Sequence, residues 1–339
     1  MWTGVGFALA AGLLWGGVFV GPLLLPDYPA ALQSVGRYLA FGLVALPLAW
    51  LDREQLRRLS RADWVEALKL SAIGNLLYYL CLAAAIQRAG GPLPTMIIGT
   101  LPVVIAIAAN RRNHQRDGRL PWRKLGPSLL VIALGIACVN QVELQALRES
   151  GKVDLDRYVV GVLLAVLAVI CWTWYPLRNA DWLRQHPDRP ARAWATAQGL
   201  TTLPLAALGY LALWLASLAG WLDFPMPLGP SPLHFVLQML AIGLLASWVG
   251  TLCWNEASQR LPTNIAGQLI VFETLAALAY AWLLRGRWPD PLTLAGAGLL
   301  IVGVWWAVRP AGSSQALVSA ARDQTGQGKG QPHQAPALD

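Results

Sequence analysis

Long uncharged stretches recur along this chain, and each is bounded by charged residues or by clusters of Pro and Gly. A helix that crosses a bilayer needs about 20 mainly apolar residues, because the hydrocarbon core is about 30 Å thick. Ten such stretches follow one another, a pattern that disfavours a soluble helical bundle. They cover residues 3–25, 29–51, 64–86, 92–110, 125–141, 159–177, 194–221, 233–257, 262–284 and 291–308. The pattern predicts an all-α membrane protein with ten transmembrane helices.

Composition agrees with lipid as the main solvent. Of the 339 residues, 56% are hydrophobic and only 13% are charged, too few for the polar surface of a soluble protein. The first stretch has no basic segment before it and nine stretches after it, so we interpret it as a retained helix rather than a signal peptide. After residue 308 the chain is rich in Gly, Ser, Gln and Pro, which predicts a disordered cytoplasmic tail over 309–339.

The net charge of +8 is unevenly distributed, and this favours a membrane topology over nucleic-acid binding. Lys and Arg cluster in alternate connections between the stretches. The clusters are Arg53, Arg57, Arg58 and Arg61; Arg111, Arg112, Arg116, Arg119, Arg123 and Lys124; and Arg178, Arg184, Arg189 and Arg192. Because cytoplasmic loops carry the excess of Lys and Arg, we expect both termini in the cytoplasm of a bacterial-type inner membrane.

The two halves of the chain show weak similarity to each other. Ala72-Ile73-Gly74 matches Ala241-Ile242-Gly243 at an offset of 169, and Pro94-Thr95 matches Pro262-Thr263 at 168. Five helices per half would give the halves opposite orientations, a plan that recurs in secondary transporters. We therefore predict a first repeat over 1–141, an external loop over 142–158, a second repeat over 159–308 and the tail over 309–339.

Small residues in the first stretch predict close packing of its helix. Gly12 and Gly16 form a GxxxG pair, as do Gly17 and Gly21, and such pairs let helix backbones approach. We interpret all four cysteines as small packing residues, since none shows a spacing typical of metal sites or disulfides. We expect no metal and no cofactor.

Short motifs built from Gly, Leu and Pro occur in order over residues 3–308. They are Gly12-Leu13-Leu14-Trp15-Gly16, Gly36-Arg37-Tyr38-Leu39-Ala40, Leu101-Pro102-Val103-Val104, 283–289 (LLRGRWP) and 296–303 (GAGLLIVG). In this order the chain resembles EamA-type carriers of the drug/metabolite transporter superfamily. The resemblance implies ten helices in two inverted repeats and export of amino acids or related metabolites. The chain departs from that family at 271–274 (VFET), where such carriers often have Pro, and at 285–287 (RGR), where they often have an acidic residue.

Two charged residues, Arg37 and Glu273, lie well inside apolar stretches, away from their ends. An ionised side chain at the bilayer centre costs about 2.5–3.5 kcal/mol on insertion scales, so each is a functional-site hypothesis. Glu273 is near the centre of the ninth stretch, and we interpret it as a carboxylate that binds a proton or a substrate amine, because burial favours its neutral form. Arg37 lies about 12 Å below the outer end of the second stretch at 1.5 Å per residue. Three interpretations of Arg37 stay open: a pair with Glu273, a contact with a substrate carboxylate, or a structural role. The alternative for Glu273 is a structural carboxylate that is permanently protonated or paired with an arginine.

Polar and aromatic side chains form stripes at helical spacing. The stripes are Ser71, Asn75, Tyr78 and Tyr79 in the third stretch, and Ser247, Thr251 and Asn255 beside Trp248 in the eighth. Lipid cannot satisfy these donors and acceptors, so we expect the stripes to face the bundle interior or a wet central cavity, with Trp248 opposite Tyr79. The candidates also include Trp15, Gln268, Trp172, Trp174 and Tyr175. The alternative for each is a contact between helices, worth about 0.6 kcal/mol.

Pro102 falls in the middle of the fourth stretch, where a proline deletes a backbone hydrogen bond and permits a kink. It belongs to the first-repeat counterpart of the Glu273 helix. A kinked helix there would provide a hinge for the rocking motion of a carrier.

We expect a secondary active transporter that carries small organic metabolites by alternating access, with protons as the candidate coupling ion. The substrate, the coupling ion and the oligomeric state are open, and no nucleic-acid partner is expected. One alternative is a sensor or scaffold that does not transport. Another is a membrane enzyme, but the chain has no P-loop and its four His residues are scattered, so we expect no catalysis.

Overall fold

The computed structural model describes residues 1–19, 24–25, 27–89, 97–112, 121–149, 155–286, 288–289 and 291–308. These residues are overwhelmingly helical, and none of those described lies in a strand. The all-α prediction is confirmed for this part of the chain. The predicted tail, 309–339, lies outside the described residues.

Each of the ten predicted stretches contains at least one described helix. In chain order the helices are α1 Trp2–Gly16, α2 Ala30–Leu51, α3 Arg53–Arg57, α4 Arg61–Lys69, α5 Tyr78–Ala89, α6 Leu101–Arg111, α7 Trp122–Glu149, α8 Leu155–Gln185, α9 Ala191–Leu218, α10 Pro232–Ile242, α11 Gly250–Arg260, α12 Thr263–Leu269, α13 Val271–Arg285 and α14 Pro291–Val308.

Six continuous helical segments among the described residues, which we call rods, are long and apolar enough to cross a membrane. They are Ala30–Leu51, Arg61–Leu82, Asp156–Gln185, Ala191–Leu218, Pro232–Arg260 and Thr263–Leu284. Four shorter apolar helices are Trp2–Gly16, Leu101–Arg111, Leu125–Cys138 and Pro291–Trp306. This is the composition of an integral membrane protein, and the arrangement as ten spans in two inverted repeats stays a prediction.

The connection predicted over 142–158 contains helical residues at both of its ends, and its external location stays a prediction. Helix α7 continues to Glu149 and α8 begins at Leu155. The prediction ended the helix where charge appeared, but Glu, Leu, Gln, Ala and Arg are strong helix formers, and polar residues need not end a helix beyond the hydrocarbon core.

Two rods contain π-helical segments. The first π segment, Leu70–Leu77, joins α4 to α5, and the second π segment, Gly243–Val249, joins α10 to α11. They occupy the third and eighth predicted spans, which the offset of the internal similarity relates. Stretches of π-helix are rare and frequently occur at functional sites, so these two direct attention to the helices that carry the polar stripes.

Helices of the first half pack closely against helices of the second half. A Cβ added to Gly42 in α2 would lie 2.5 Å from Leu203 Cβ in α9. One added to Gly267 in α12 would lie 2.7 Å from Ile105 Cγ2 in α6. Glycine allows these approaches because it has no side chain to displace the neighbouring helix.

The connections rich in arginine meet at one end of the helices. Arg192, at the start of α9, pairs with Asp52, which follows α2. Side chains from 52–66, 111–112 and 178–192 contact one another there. We refer to this region as the arginine-rich end.

Candidate functional site

Glu273 lies in the first turn of α13, directly after an interruption of the rod at Ile270. The Glu273 backbone N–H donates to Ile270 O at 2.9 Å, a bond of the tighter i to i−3 kind. The sequence predicts this carboxylate near the centre of the ninth span, and Glu273 does lie near the middle of the segment Thr263–Leu284. A carboxylate in a first turn is favoured by the helix dipole, and discontinuous helices often carry the binding sites of transporters.

The corresponding fourth span also has a helix that begins inside the predicted stretch. Helix α6 begins at Leu101, so Pro102 lies in its first turn and interrupts no helical hydrogen bond. Residues 97–98 are also helical, and turns at Gly99 and Thr100 separate them from α6, so the kink at Pro102 stays a prediction.

Helix α1 packs directly on the backbone that carries Glu273. A Cβ on Gly12 would lie 3.0 Å from the Glu273 backbone N, and one on Gly16 would lie 2.5 Å from Ala276 Cβ. Tyr280 OH donates to Leu13 O at 3.0 Å. The predicted GxxxG pair Gly12 and Gly16 thus sets the position of α13, and with it the position of Glu273.

Arg37 is oriented by groups from two other rods. Its Nε donates to Ser247 Oγ in the second π segment at 2.9 Å. Its guanidinium carbon lies 5.0 Å from the centre of the Tyr38 ring and 5.9 Å from that of Tyr79. Such cation–π contacts lower the cost of holding a guanidinium away from water.

Arg37 and Glu273 interact electrostatically without a direct ion pair. The charge of Arg37 acts on the Glu273 carboxylate, yet no ion pair joins the two within the described part of the chain. Both side chains keep part of their surface accessible to solvent. The two side chains are therefore not joined by an ion pair, and neither is fully buried.

Aromatic rings form a continuous cluster beside this pair of charges. Trp172 stacks on Tyr78 at 4.7 Å and on Tyr175 at 5.1 Å between ring centres, and Trp15 lies 5.5 Å from Trp172 and 5.4 Å from Trp254. We call these five rings the aromatic cluster. All five are buried, whereas the predicted candidate Trp174 lies outside the cluster.

The indole N–H groups of this cluster differ in their partners. Trp15 Nε1 donates to Ala246 O in the second π segment at 2.9 Å. The Nε1 atoms of Trp172 and Trp254 are buried and have no hydrogen-bond partner among the described residues. A buried donor without an acceptor is costly, which marks these two as groups available to an acceptor that enters the cluster.

Tyr79 and Trp248 pack in a neighbouring apolar cluster around Tyr38 and Phe41. Trp248 Nε1 also donates to Thr196 Oγ1 at 3.3 Å. The structure therefore brings these two predicted aromatic residues together on the side of Arg37.

The two candidate amides lie in different places. Asn75 keeps accessible surface, and its Nδ2 is 3.5 Å from Thr202 Oγ1, at the limit of a hydrogen bond. Gln268 is fully buried, and its Oε1 accepts a hydrogen bond at 2.8 Å from the Oγ of Ser128, which lies in α7. The Gln268 side chain is directed to α7, and among the described residues no contact joins it to Arg37.

Sequence reasoning missed Trp254 and the two π segments. Trp254 lies one helical turn after Thr251 of the predicted stripe, a spacing that could have suggested it. Local composition does not reveal the π segments. In the second one, Ala246 O accepts a hydrogen bond from Trp15 Nε1, which is 231 residues away in the chain and cannot be seen in the local sequence.

Two pockets occur away from the charged pair. One, of about 310 Å³, is lined by Gly17, Tyr280, Leu283 and Leu284. The other, of about 270 Å³, lies at the arginine-rich end. Neither is lined by Glu273 or Arg37, so the central cavity stays a prediction.

Comparison with known proteins gives matches in sequence and in fold. Residues 2–140 match the EamA-like transporter family. The chain is 57% identical over 313 residues to the inner membrane protein YtfF of Escherichia coli (strain K12), covering 91% of this chain and 96% of that protein. It is 35% identical over 112 residues to a UPF0060 membrane protein of Methylocella silvestris, covering 32% of this chain and 99% of that one.

One protein of known crystal structure shares the fold at low sequence identity. The two superpose with a TM-score of 0.67 at 16% identity, over 90% of this chain and 97% of the other.

Proposed function

This chain belongs to the EamA-like transporter family, and we propose that it is a secondary active transporter that exports small organic metabolites, such as amino acids, by alternating access. The name of its Escherichia coli relative supports an inner membrane location. The excess of Lys and Arg at one end supports cytoplasmic N- and C-termini.

The pair of Arg37 and Glu273 carries this proposal. Two opposite charges inside apolar rods are expensive, and a direct ion pair would be the simplest way to lower that cost. Instead Arg37 is bonded to Ser247, and Glu273 has no hydrogen-bond partner for its side chain among the described residues. A substrate with an ammonium and a carboxylate group would complete both.

The aromatic cluster supports an amphipathic substrate. Tyr78 lies within electrostatic range of both Glu273 and Arg37, and it stacks on Trp172. An apolar or aromatic substrate side chain could pack on these rings, while the buried indole N–H groups offer donors to a polar atom. The location of the charges beside the rings supports amino acids as the substrate class.

Proton coupling would use the Glu273 carboxylate. A proton taken up by Glu273 removes its charge and leaves Arg37 without a counter-charge nearby. The two protonation states would therefore bind an amine differently, which is what coupling requires.

Uptake into proteoliposomes tests the proposal. A ligand is first found by thermal stabilisation of the purified protein with a panel of amino acids and amphipathic cations. Glu273→Gln should then abolish uptake of that ligand driven by a proton gradient, while the melting temperature stays near that of the wild type.

The matched control is Glu256→Gln, since Glu256 forms an ion pair with Arg260 one helical turn away at the arginine-rich end. That variant should transport normally. Unchanged uptake by Glu273→Gln would refute the coupling role. Ligand binding without any uptake by the wild type would favour the sensor alternative.

A further inference from the structure

Acidic side chains of the first half pair with basic side chains of the second half at the arginine-rich end. Arg192 Nε donates to Asp52 Oδ1 at 2.8 Å, and Thr196 Oγ1 donates to Asp52 Oδ2 at 3.0 Å. Arg178 Nη2 donates to Glu66 Oε2 at 3.2 Å, and Arg178 Nε donates to Glu66 Oε1 as well. These contacts join α2 to α9 and α4 to α8.

In a third pair the arginine belongs to the first half and the carboxylate to the second half. Arg112, which follows α6, donates to both oxygens of Asp181 in α8 at 2.8 and 2.9 Å, and also to Leu177 O at 2.8 Å. A bidentate guanidinium–carboxylate pair fixes distance and orientation together. The helices α2, α4 and α6 of the first half are therefore each tied to α8 or α9.

Asp63 adds a hydrogen bond to the same interface. It belongs to a capping box with Ser60 that begins α4, so its carboxylate is fixed at the helix terminus. Trp182 Nε1 donates to its Oδ1 at 2.8 Å, and His186 Nε2 lies 3.6 Å away.

Burial is unequal within each pair. The side chains of Asp52, Glu66 and Asp181 are 2%, 10% and 8% exposed, and those of their arginines are 54%, 47% and 35% exposed. The guanidinium groups thus cover carboxylates that have little other access to water. A buried carboxylate left without its partner is unfavourable, so these contacts strongly favour the closed interface.

A pocket borders this interface. The pocket of about 270 Å³ is lined by Glu66, Arg178 and Asp181, together with Asp63, Trp182 and His186. When the helices separate, water can enter from this pocket and hydrate the carboxylates and guanidinium groups that lose their partners.

Just before the start of α2, at its other end, the halves are joined by an aromatic stack and a neutral hydrogen bond instead of ion pairs. Tyr28 stacks on Phe235 at 4.9 Å between ring centres, and its hydroxyl donates to Leu228 O at 2.8 Å. The ion pairs are thus suited to hold one specific end of the bundle shut.

We propose that the pairs Asp52–Arg192, Glu66–Arg178 and Asp181–Arg112 form a lock that closes the arginine-rich end, and that their separation opens the transporter to that side. The existence of the lock stands on the contacts alone, and its role in transport rests on the proposed function. Separation of α4 from α8 must break the second pair, and the same movement acts on the third pair because Arg178 and Asp181 both lie on α8.

Pulsed electron paramagnetic resonance can measure the lock directly. Nitroxide labels are placed on Cys introduced at Ala62 and Gln185, two exposed residues on either side of the interface, after the four native cysteines are replaced. In nanodiscs without ligand, the wild-type lock should give one short, narrow distance. The combination of Asp52→Asn, Glu66→Gln and Asp181→Asn should add a longer distance population.

Two further variants separate unlocking from unfolding. Exchange of Glu66→Arg with Arg178→Glu should restore the short distance that Arg178→Glu alone broadens. Glu256→Gln breaks a pair within a single helix and should change nothing. An unchanged distance in the triple variant, or an exchange that restores nothing, would overturn the lock.

This measurement does not depend on transport. If the distances respond as expected but no ligand is taken up by proteoliposomes, the lock stands and the proposed function fails. If uptake occurs and the distances do not respond, the lock alone fails.

Discussion

The Nε atom of Arg37 and the Oγ atom of Ser247 are 2.9 Å apart, although 210 residues separate them in the chain. The bond keeps the guanidinium near Tyr79 rather than on the Glu273 carboxylate. A hydrogen bond to a charged group contributes about 1.5–3 kcal/mol, so the bond to Ser247 stabilises this position of the guanidinium.

We expect Ser247→Ala to free Arg37 to turn toward Glu273. The substrate would then compete with an internal ion pair, so KM should rise while the melting temperature falls only slightly. Transport kinetics in proteoliposomes and thermal unfolding of the same preparation measure the two effects. Ser217→Ala is the matched control, because Ser217 Oγ donates to Phe224 O far from Arg37. Equal KM values for all three proteins would contradict the role assigned to Ser247.

Gly16→Ala should destabilise the protein. The new methyl would lie 2.5 Å from Ala276 Cβ, so α1 and α13 must separate, at an overpacking cost of about 1–3 kcal/mol. Gly6→Ala is the control in the same helix, where a methyl meets no atom within 4 Å. It should be neutral or stabilising by up to about 1 kcal/mol, since Ala is the better helix former. Equal melting temperatures in detergent would argue against the contact.

Trp15→Phe and Trp172→Phe should differ in stability although the two rings are neighbours. Trp15→Phe removes the indole N–H that donates a hydrogen bond to Ala246 O. Trp172→Phe removes no hydrogen bond, because Trp172 Nε1 has no partner among the described residues. We expect the first variant to be less stable by about 1 kcal/mol more than the second. Denaturation monitored by circular dichroism compares them, and the reverse order would count against this assignment of partners.

Asn179→Ala should be among the most destabilising polar substitutions. Asn179 Oδ1 accepts from Trp194 at 2.9 Å and from Gln198 at 3.2 Å, and its Nδ2 donates to Asn255 Oδ1 at 2.8 Å. Removing it leaves three fully or nearly buried groups without a partner, at a cost of about 2 kcal/mol or more. Asn75→Ala, which loses one contact at 3.5 Å, should cost far less. Similar losses in melting temperature would show that the buried network contributes little.

A reporter fused to the C-terminus tests the orientation in the membrane. We expect a fluorescent protein to be bright and alkaline phosphatase to be inactive there, because both report a cytoplasmic terminus. Fusions that end at Asp223, in a connection without Lys or Arg, should give the opposite pattern. Active phosphatase at the C-terminus would reverse the topology derived from the positive charges.

The apolar helices could be predicted from the sequence, because a bilayer requires long apolar helices whichever helices lie beside them. Their irregularities could not be read in the same way. The interruption at Ile270 has no proline to announce it, and α7 runs to Glu149 through residues that look like a loop by charge. Such details depend on packing between helices and on where the helix leaves the hydrocarbon.

Candidate residues were predictable to different degrees. Glu273 and Arg37 stood out because a charge inside an apolar stretch is rare. Trp254 did not, because tryptophan also anchors helix ends and only contact with Trp15 shows that it belongs to the aromatic cluster. Gln268 looked equivalent to Asn75 in the sequence, and its bond to Ser128 shows that it faces another helix.

From the sequence alone follow the membrane environment, the helical class, the two intramembrane charges and the division of basic residues among the connections. These are properties of single segments, and the cost of exposing charge or backbone to lipid determines them one segment at a time. Only the tertiary structure decided that Arg37 bonds Ser247 rather than Glu273, and that acids of one half meet arginines of the other. Those outcomes depend on which helices are neighbours, and neighbours are chosen by the packing of the whole bundle.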